Sequence, residues 1–547
     1  MKKTGRLLTT LMVIAFSLPS MAQMSYGGYP HVRDAKKLND VQIVQLPYLS
    51  NEQCLREDDA ESMKGRPYRV GVAQDVHVTN TENGTWDTLP NGDKLWRVEF
   101  VSDEAKFLYP VFEKYNIPEG AELFVYTPDQ SFILGKFTRE NADEGKFHTQ
   151  AVPGESIVIE YFEPYNAGFS GELEISQIHR GHRDIFRAMG DMTKGGIGDS
   201  EGNCHYNVAC PIASGWQTQK NGIVCIGITT RQGTYICSGS MINNTRQDGA
   251  QYLLSASHCQ EDITVTRWTF YFLYEASTCT GTTGPVNKSA TGGTILAVKP
   301  TNDYGNSGSD FLLLKVTGTI NPAYNVYFNG WDRRTTNLVG ACIHHPGGDL
   351  KKISIPAGVS SANSNFWIVN WITGSSNKGV TEQGSSGSPL FNANKLIIGQ
   401  LWSGSSACDY MRGQDYYGKI TASWTGGGTN STRLSNWLDP AGTGATYLNG
   451  IYASDINPVT DIYAPKNDDT DLKLFPNPAC DFLNVELNET GIAEYAITGE
   501  TGSVVQQGRM FLGLNAYKLD VAALESGTYV FTIAVNDRHL SRIFVKK

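Results

Sequence analysis

The chain has 547 residues, 40% hydrophobic and 11% aromatic, enough apolar surface for three or four domains at about 150 residues each. Charged residues reach only 18%, below the ~25% usual for soluble domains, while 57 glycines favour a β-rich chain with many turns. A net charge of -10 offers no basic footprint, which excludes nucleic acid and anionic membrane surfaces as expected partners.

Lys2, Lys3 and Arg6 precede an apolar run from Leu7 to Leu18, and Ser20-Met21-Ala22 supplies small residues for cleavage. The run is shorter than the ~20 residues of a membrane anchor, so residues 1–22 are expected to be a signal peptide cut after Ala22. Export makes disulfides permissible. The next region, 23–194, is polar and poorly patterned to about Lys64. From Tyr68 to Ile178 it holds short apolar runs such as Leu95–Phe100, Glu122–Tyr126 and Ile157–Phe162, separated by Pro118-Glu119-Gly120 and Pro153-Gly154. That spacing predicts an all-β domain. Gly195-Gly196-Ile197-Gly198 reads as an exposed hinge.

Residues 195–452 return to short strands with Gly, Asn and Ser turns. One helix is predicted over Asn430–Leu438, with polar capping residues in front and Pro440 behind. A polar, Asp-rich linker spans 453–471. The last segment, 472–547, reads as a small β unit with strands at Phe482–Val485 and Tyr529–Ile533. Eight of the ten cysteines (Cys204, Cys210, Cys225, Cys237, Cys259, Cys279, Cys342, Cys408) fall in the middle region, the pattern of a stapled exported domain. Cys54 and Cys480 stand alone in the flanks.

Three motifs of the middle region carry chemistry together. Leu253-Leu254-Ser255-Ala256-Ser257-His258-Cys259 is a strand-like run ending in His and Cys. Ser309-Asp310-Phe311-Leu312-Leu313-Leu314 sets one acid before an apolar strand. Gly384-Ser385-Ser386-Gly387-Ser388-Pro389 is a Gly/Ser turn. A serine hydroxyl is a weak nucleophile at neutral pH and needs a base. His258 suits that role and the later protonation of a leaving amine, while Asp310 would fix its tautomer. The amides of Gly384 and Ser386 would receive the oxyanion, each such donor being worth about 3–4 kcal/mol of barrier. Singly, these are a structural histidine, a turn aspartate and a surface loop. The conjunction, with Cys237-Ser238-Gly239-Ser240 upstream, is what points to a nucleophilic relay.

Those motifs, in the order His, Asp, Ser, resemble the chymotrypsin-like serine peptidases. Gly330-Trp331-Asp332-Arg333-Arg334, Ile343-His344-His345-Pro346, Gly379-Val380-Thr381-Glu382-Gln383 and the run Thr421–Gly428 are similar to the bacterial lysyl endopeptidases in particular. The resemblance covers about 204–450 and implies two packed β-barrels with the site between them. The fold expected for the whole chain is mainly β: a chymotrypsin-like double barrel flanked by a β-rich prodomain and a β-sandwich tail. It also implies the disulfides Cys204–Cys408, Cys210–Cys279 and Cys237–Cys259. Cys225 and Cys342 are then left over and are expected to pair, the alternative being two free buried thiols. No cofactor or metal is implied, and the mature enzyme is expected to be a monomer acting on proteins or peptides.

The trypsin pocket acid is absent, since Val380 occupies its place. The resemblance implies instead an aspartate from the later stretch Gln414-Asp415-Tyr416-Tyr417-Gly418, so Asp415 is the expected partner of a substrate cation. Lysine is the expected residue before the cut, Arg or mixed basic specificity the alternative. The plainer reading of Asp415 is a solvated loop acid. Trp402 is similarly expected to flank the substrate, or to be a wall residue, and His344 and His345 to be structural. Ser385 stands where animal trypsins carry the acid that pairs with a new N-terminus. Activation is therefore expected by uncovering the cleft, with self-cleavage at Lys194–Gly195. The stretch Tyr68–Arg183 resembles the propeptide of these enzymes. The tail, through Leu474-Phe475-Pro476-Asn477-Pro478-Ala479, Leu524–Tyr529 and the basic end Val545-Lys546-Lys547, resembles a Por-type (type IX) secretion sorting domain. That implies passage through the type IX machinery to the surface or the medium. A second class of function, a surface binding protein on an inactive protease scaffold, is the competing expectation.

Overall fold

The computed structural model describes residues 27–34, 39–61, 67–142, 145–184, 204–260, 265–302, 305, 307–334, 340–372, 378–408, 413–456, 472–487, 491–499, 504–512, 516–535 and 538–547. The expected processing points at Ala22 and Lys194–Gly195 lie outside them. The chain divides into two compact units, Met1–Asp455 and Ile456–Lys547.

In the N-terminal part, a 3-10 turn (His31–Asp34) and a short strand (Gln42–Gln45) precede helix α1 (Asn51–Glu61), which lies in a stretch where the sequence shows no apolar periodicity. Among its described side chains only Cys54 is buried, which is why no pattern betrays it. Tertiary contacts hold it instead: Arg69 donates to Asp58 Oδ1 (2.5 Å) and to the Cys54 carbonyl (3.2 Å), and His182 Nε2 lies 2.7 Å from Asp58 Oδ2. Two sheets follow. Strands β2 (Lys94–Val101) and β4 (Ser156–Glu163) pair antiparallel in one. Strands β1 (Tyr68–Thr79), β3 (Phe107–Asn116) and β5 (Glu172–Gly181) form the other, with β5 central. Their inward residues, Trp96, Phe100, Phe107, Phe112, Tyr161 and Ile175 among them, make one core.

The middle region contains two rings of strands. The first runs β6 (Ile223–Thr229), β7 (Gly233–Met241), β8 (Tyr252–Ala256), β11 (Phe311–Val316) and β10 (Gly293–Lys299). Ser289–Thr291, just before β10, pairs with β9 (Thr269–Phe272), which returns to β6. One bent segment thus serves two neighbours and closes the barrel. The second ring uses the same device. Strands β12 (Cys342–His344) and β13 (Lys352–Ser354) pair, and Pro356–Ser361 continues from β13 onto β14 (Phe366–Trp371). Strands β15 (Pro389–Phe391), β16 (Ile397–Gly404) and β17 (Gln414–Lys419) complete it. Ring closure pairs most strand edges, but β7 meets β8 only at Ser240 and Met241, which leaves its Gly233–Ile236 edge open to a further strand.

The N-terminal sandwich and the first barrel share one sheet. Strand β1 adds antiparallel to β7, with Tyr68 opposite Ile236 and Val72 opposite Gly233. A Cβ at Gly233 would lie 2.3 Å from the Gly71 carbonyl oxygen, so glycine is what allows this approach.

Helix α2 (Ile420–Thr425) is not foreseen by the sequence pattern. The helix predicted over Asn430–Leu438 is instead a 3-10 turn at Asn430–Thr432 and a single turn, α3 (Ser435–Leu438). The break is at Arg433, whose backbone is extended (φ -145°, ψ 153°). Thr432 Oγ1 accepts from the Thr429 amide, which caps the start of the 3-10 turn but does not carry the helix past Arg433.

The second unit is a β-sandwich of a three-stranded and a four-stranded sheet. Leu483 and Val485 from Phe482–Glu486 share its core with Phe531 and Ile533 from Gly527–Val535.

Candidate active site

His258 and Asp310 are brought together by strand register. Strands β8 and β11 pair so that Ala256 lies opposite Phe311; the residues just past these ends are then neighbours. The Ser257 amide donates to the Asp310 carbonyl (2.8 Å), closing the ladder beside the two side chains. His258 Nδ1 lies 2.7 Å from Asp310 Oδ2, and the His258 amide donates to Asp310 Oδ1 (3.2 Å). Asp310 adopts φ 57°, a conformation that aspartate tolerates better than most residues. Burial pushes its carboxyl pKa up, and the His258 imidazole opposes that rise. A carboxylate accepting from Nδ1–H leaves Nε2 as the ring's lone-pair nitrogen. That atom is buried and makes no hydrogen bond, so Ser386 Oγ is not bonded to it in this state.

Ser386 arrives from the second barrel. Its carbonyl accepts from the Ser238 amide on β7 (2.8 Å), and the Ser238 hydroxyl donates to the Gly384 carbonyl (2.9 Å). The following glycine fits against the end of β8: a Cβ at Gly387 would sit 2.2 Å from Ser255 Oγ and 2.4 Å from the Ser238 carbonyl oxygen. Gly384, at φ 82°, makes the turn that a side chain would strain. The Cys237–Cys259 disulfide ties β7 to the short turn carrying His258.

Asp415, on β17, is fully buried, so it is not a solvated loop acid. Its Oδ2 accepts from Trp371 Nε1 (2.7 Å), Thr381 Oγ1 (2.5 Å) and Ser406 Oγ (2.5 Å), and its Oδ1 from the Ser406 amide (3.3 Å). Thr381, which bonds Asp415, and Val380 before it are both buried, in the segment that leads to Gly384–Ser386. Trp402 packs its ring on Phe366 (4.5 Å between centroids) and keeps partial exposure. The supporting groups Ser238, Ser255 and Thr381 lie within motifs the sequence singles out, though nothing there gives their roles, and Ser406 carries no signal at all.

The sulfurs pair as Cys204–Cys408, Cys210–Cys279 and Cys237–Cys259. Cys225 and Cys342 do not pair, contrary to the sequence expectation, because they serve different cores. Cys225 faces the cluster shared with the N-terminal sandwich, while Cys342 lies in that of the second barrel, its Sγ 3.3 Å from Ser388 Oγ. Burial pushes both thiols up to about 12, so they are unreactive near neutral pH. Cys54 and Cys480 are also free. Cys204, His205 and Cys408 bring ligand-type atoms within 4.8 Å, but two of these are the bonded sulfurs, which removes them as metal ligands.

Comparison with known proteins places this geometry. Residues 197–418 match the model of the lysyl endopeptidase C-terminal domain, and residues 473–547 that of a secretion system C-terminal sorting domain. A curated relative, the lysyl endopeptidase of Pseudomonas aeruginosa, is 27% identical over 384 residues, covering 64% of this chain and 79% of its own length. Solved structures with detectable likeness include a Glu endopeptidase in complex with MPD (20% identity, TM-score 0.27, 41% of this chain and 94% of that one). Another is the protease Anisep from Arthrobacter nicotinovorans (15% identity, TM-score 0.26, 39% and 93%). The two matched domains and the curated relative support a serine endopeptidase with a C-terminal secretion signal. Within that class the chain resembles the lysyl endopeptidases, and its tail marks it for type IX export to the cell surface or the medium. Among the described residues, no helix is long and apolar enough to cross a membrane.

Proposed function

We propose that this endopeptidase cleaves after basic residues, lysine foremost, with Ser386 as nucleophile, His258 as general base and then acid, and Asp310 as the group that orients and balances the imidazole. The observation that carries the reading is the 2.7 Å contact from His258 Nδ1 to Asp310 Oδ2, which leaves Nε2 without a hydrogen bond and able to take a proton. Ser386 Oγ attacks the scissile carbonyl as Nε2 takes its proton. The amides of Gly384 and Ser386 receive the oxyanion, and the imidazolium then protonates the departing amine. Water repeats the cycle on the acyl-enzyme.

Asp415 would set the residue before the cut. Trp371, Thr381 and Ser406 fix the position of this carboxylate, and a substrate ammonium reaching it would gain a buried ion pair. Trp402, half-exposed above Phe366, would flank the substrate. Digestion of a defined peptide mixture by mature enzyme should give products ending in Lys. Asp415→Asn should lose that cleavage by roughly 10²–10⁴-fold, the equivalent of the ~3–5 kcal/mol of a broken buried ion pair. Unchanged cleavage after Lys by Asp415→Asn would refute the assignment of the pocket.

The region 23–194 would act as a prodomain that blocks the cleft until removed, with Lys194–Gly195 as the self-cleavage point. Support comes from strand β1. It occupies the β7 edge as far as Ile236, two residues before Ser238, whose amide holds the Ser386 carbonyl. Tyr109 Oη adds buried contacts of 2.8 Å to Thr229 Oγ1 and Thr234 Oγ1.

A further inference from the structure

Behind the nucleophile turn runs a buried chain of hydrogen bonds that no catalytic step uses. Ser354 Oγ donates to the Val380 carbonyl (2.8 Å), which commits its single proton. The 2.9 Å contact between Ser354 Oγ and His344 Nε2 must then be donated by the ring. His344 is fully buried, and burial drives its pKa well below the usual histidine value, so the ring is neutral. With its proton on Nε2, Nδ1 is an acceptor, and the 2.7 Å contact there is donated by the Ser385 hydroxyl. Ser385 Oγ in turn accepts from the Glu382 amide (3.3 Å). The direction of every bond is thus fixed, from the Glu382 amide through Ser385, His344 and Ser354 to the Val380 carbonyl.

Both ends of this chain lie on the segment that leads into Ser386, and its middle lies on β12 and β13. Ser385 sits between Gly384 and Ser386, the two residues whose amides face the oxyanion. Ser385, His344 and Ser354 are all fully buried, so water does not compete for these bonds. A chain of neutral groups does here what an ion pair to a newly freed N-terminus would do. It needs no cleavage to form, and it is complete while the N-terminal region is still attached.

We propose that His344 is a positioning residue for peptide hydrolysis: by holding the Ser385 hydroxyl from β12 it fixes the Gly384–Ser386 turn in the form that receives the oxyanion. The proposal rests on Ser386 being the nucleophile. It assigns to maturation only the uncovering of the cleft, since the hydrogen-bond chain that holds the turn is complete with the N-terminal region attached.

The test compares mature wild type, His344→Ala, Ser385→Ala and the double variant on a lysyl peptide amide, with Ser386→Ala as reference. Each single variant should lose about 10–100-fold in kcat, less than the 10²–10³ of a deleted oxyanion donor, with KM nearly unchanged. Affinity for a peptidyl-lysine aldehyde, whose adduct carries the oxyanion, should fall by the same factor. The double variant should be no worse than either single one, because both break one chain. Rescue gives a further signature. His344→Asn, which keeps an acceptor near Nδ1, should recover more activity than His344→Gln, which better fills the volume; a purely packing role predicts the reverse. Should His344→Ala fail to fold, Ser385→Ala, which deletes one oxygen, decides. The proposal is overturned if kcat stays within about twofold of wild type in the folded variants while Ser386→Ala is inactive. An active Ser386→Ala would instead remove the nucleophile reading, and this proposal with it.

Discussion

The two barrels assemble their halves of the site by different means. In the first, backbone register does the placing: one antiparallel pairing, Ala256 opposite Phe311, sets His258 beside Asp310. In the second, side chains do it: Ser238 holds the Gly384 carbonyl, His344 holds Ser385, and Thr381, Ser406 and Trp371 hold Asp415. A ladder is stiff and tolerates changes in the side chains that ride on it. A network of buried hydroxyls fails when one member is lost, because the partner left behind is buried and unsatisfied.

Mutations test that contrast. The largest effect belongs to the first barrel's pair. Asp310→Asn should lower kcat by about 10⁴-fold, as in a comparable triad, because the amide favours the wrong imidazole tautomer. The ladder should keep the fold, so the thermal melt should stay near wild type while activity collapses; a parallel loss of both would make Asp310 a structural residue. Next comes the seam between the halves. Gly387→Ala places a methyl where Ser255 Oγ and the Ser238 carbonyl oxygen now sit, at φ 80°. Displacing the turn by about 1 Å should reduce kcat by roughly 10²-fold. Wild-type kinetics would mean that the seam is loose and the register argument incomplete. The smallest effect is expected at Cys342, a buried thiol without a bridge. Cys342→Ser should cost about 1 kcal/mol in urea unfolding and leave activity intact. Alkylation of the unfolded but unreduced protein should label Cys225 and Cys342; their absence from the labelled set would restore the bridge expected from sequence.

The same contrast explains what was legible in the sequence. Strands announced by alternating apolar residues and turn breakers stand where expected: Leu95–Phe100 falls within β2, Ile157–Phe162 within β4 and Tyr529–Ile533 within the tail strand Gly527–Val535. Helix α1 was silent because it is held by Arg69 and His182, both outside the helix, rather than by an apolar stripe. The Asn430–Leu438 pattern misled because the backbone turns extended at Arg433, between two separate short turns. His258, Asp310 and Ser386 stand out because each opens or closes a run of distinctive neighbours. The groups that position them do not. Ser238, Ser354, Thr381 and Ser406 act through where the fold delivers them. Nor does any local feature of Tyr68–Val72 announce that this strand continues a barrel whose own strands begin about 150 residues later.

The account stands on Ser386 becoming reactive through His258, although the two are not hydrogen-bonded in this state. Mature enzyme treated with a fluorophosphonate and analysed by peptide mass spectrometry tests that most directly. One phosphonyl group per chain, on the peptide containing Ser386 and absent from His258→Ala, is the predicted result. A mature protein that takes no label, or takes it equally without the imidazole, would contradict it.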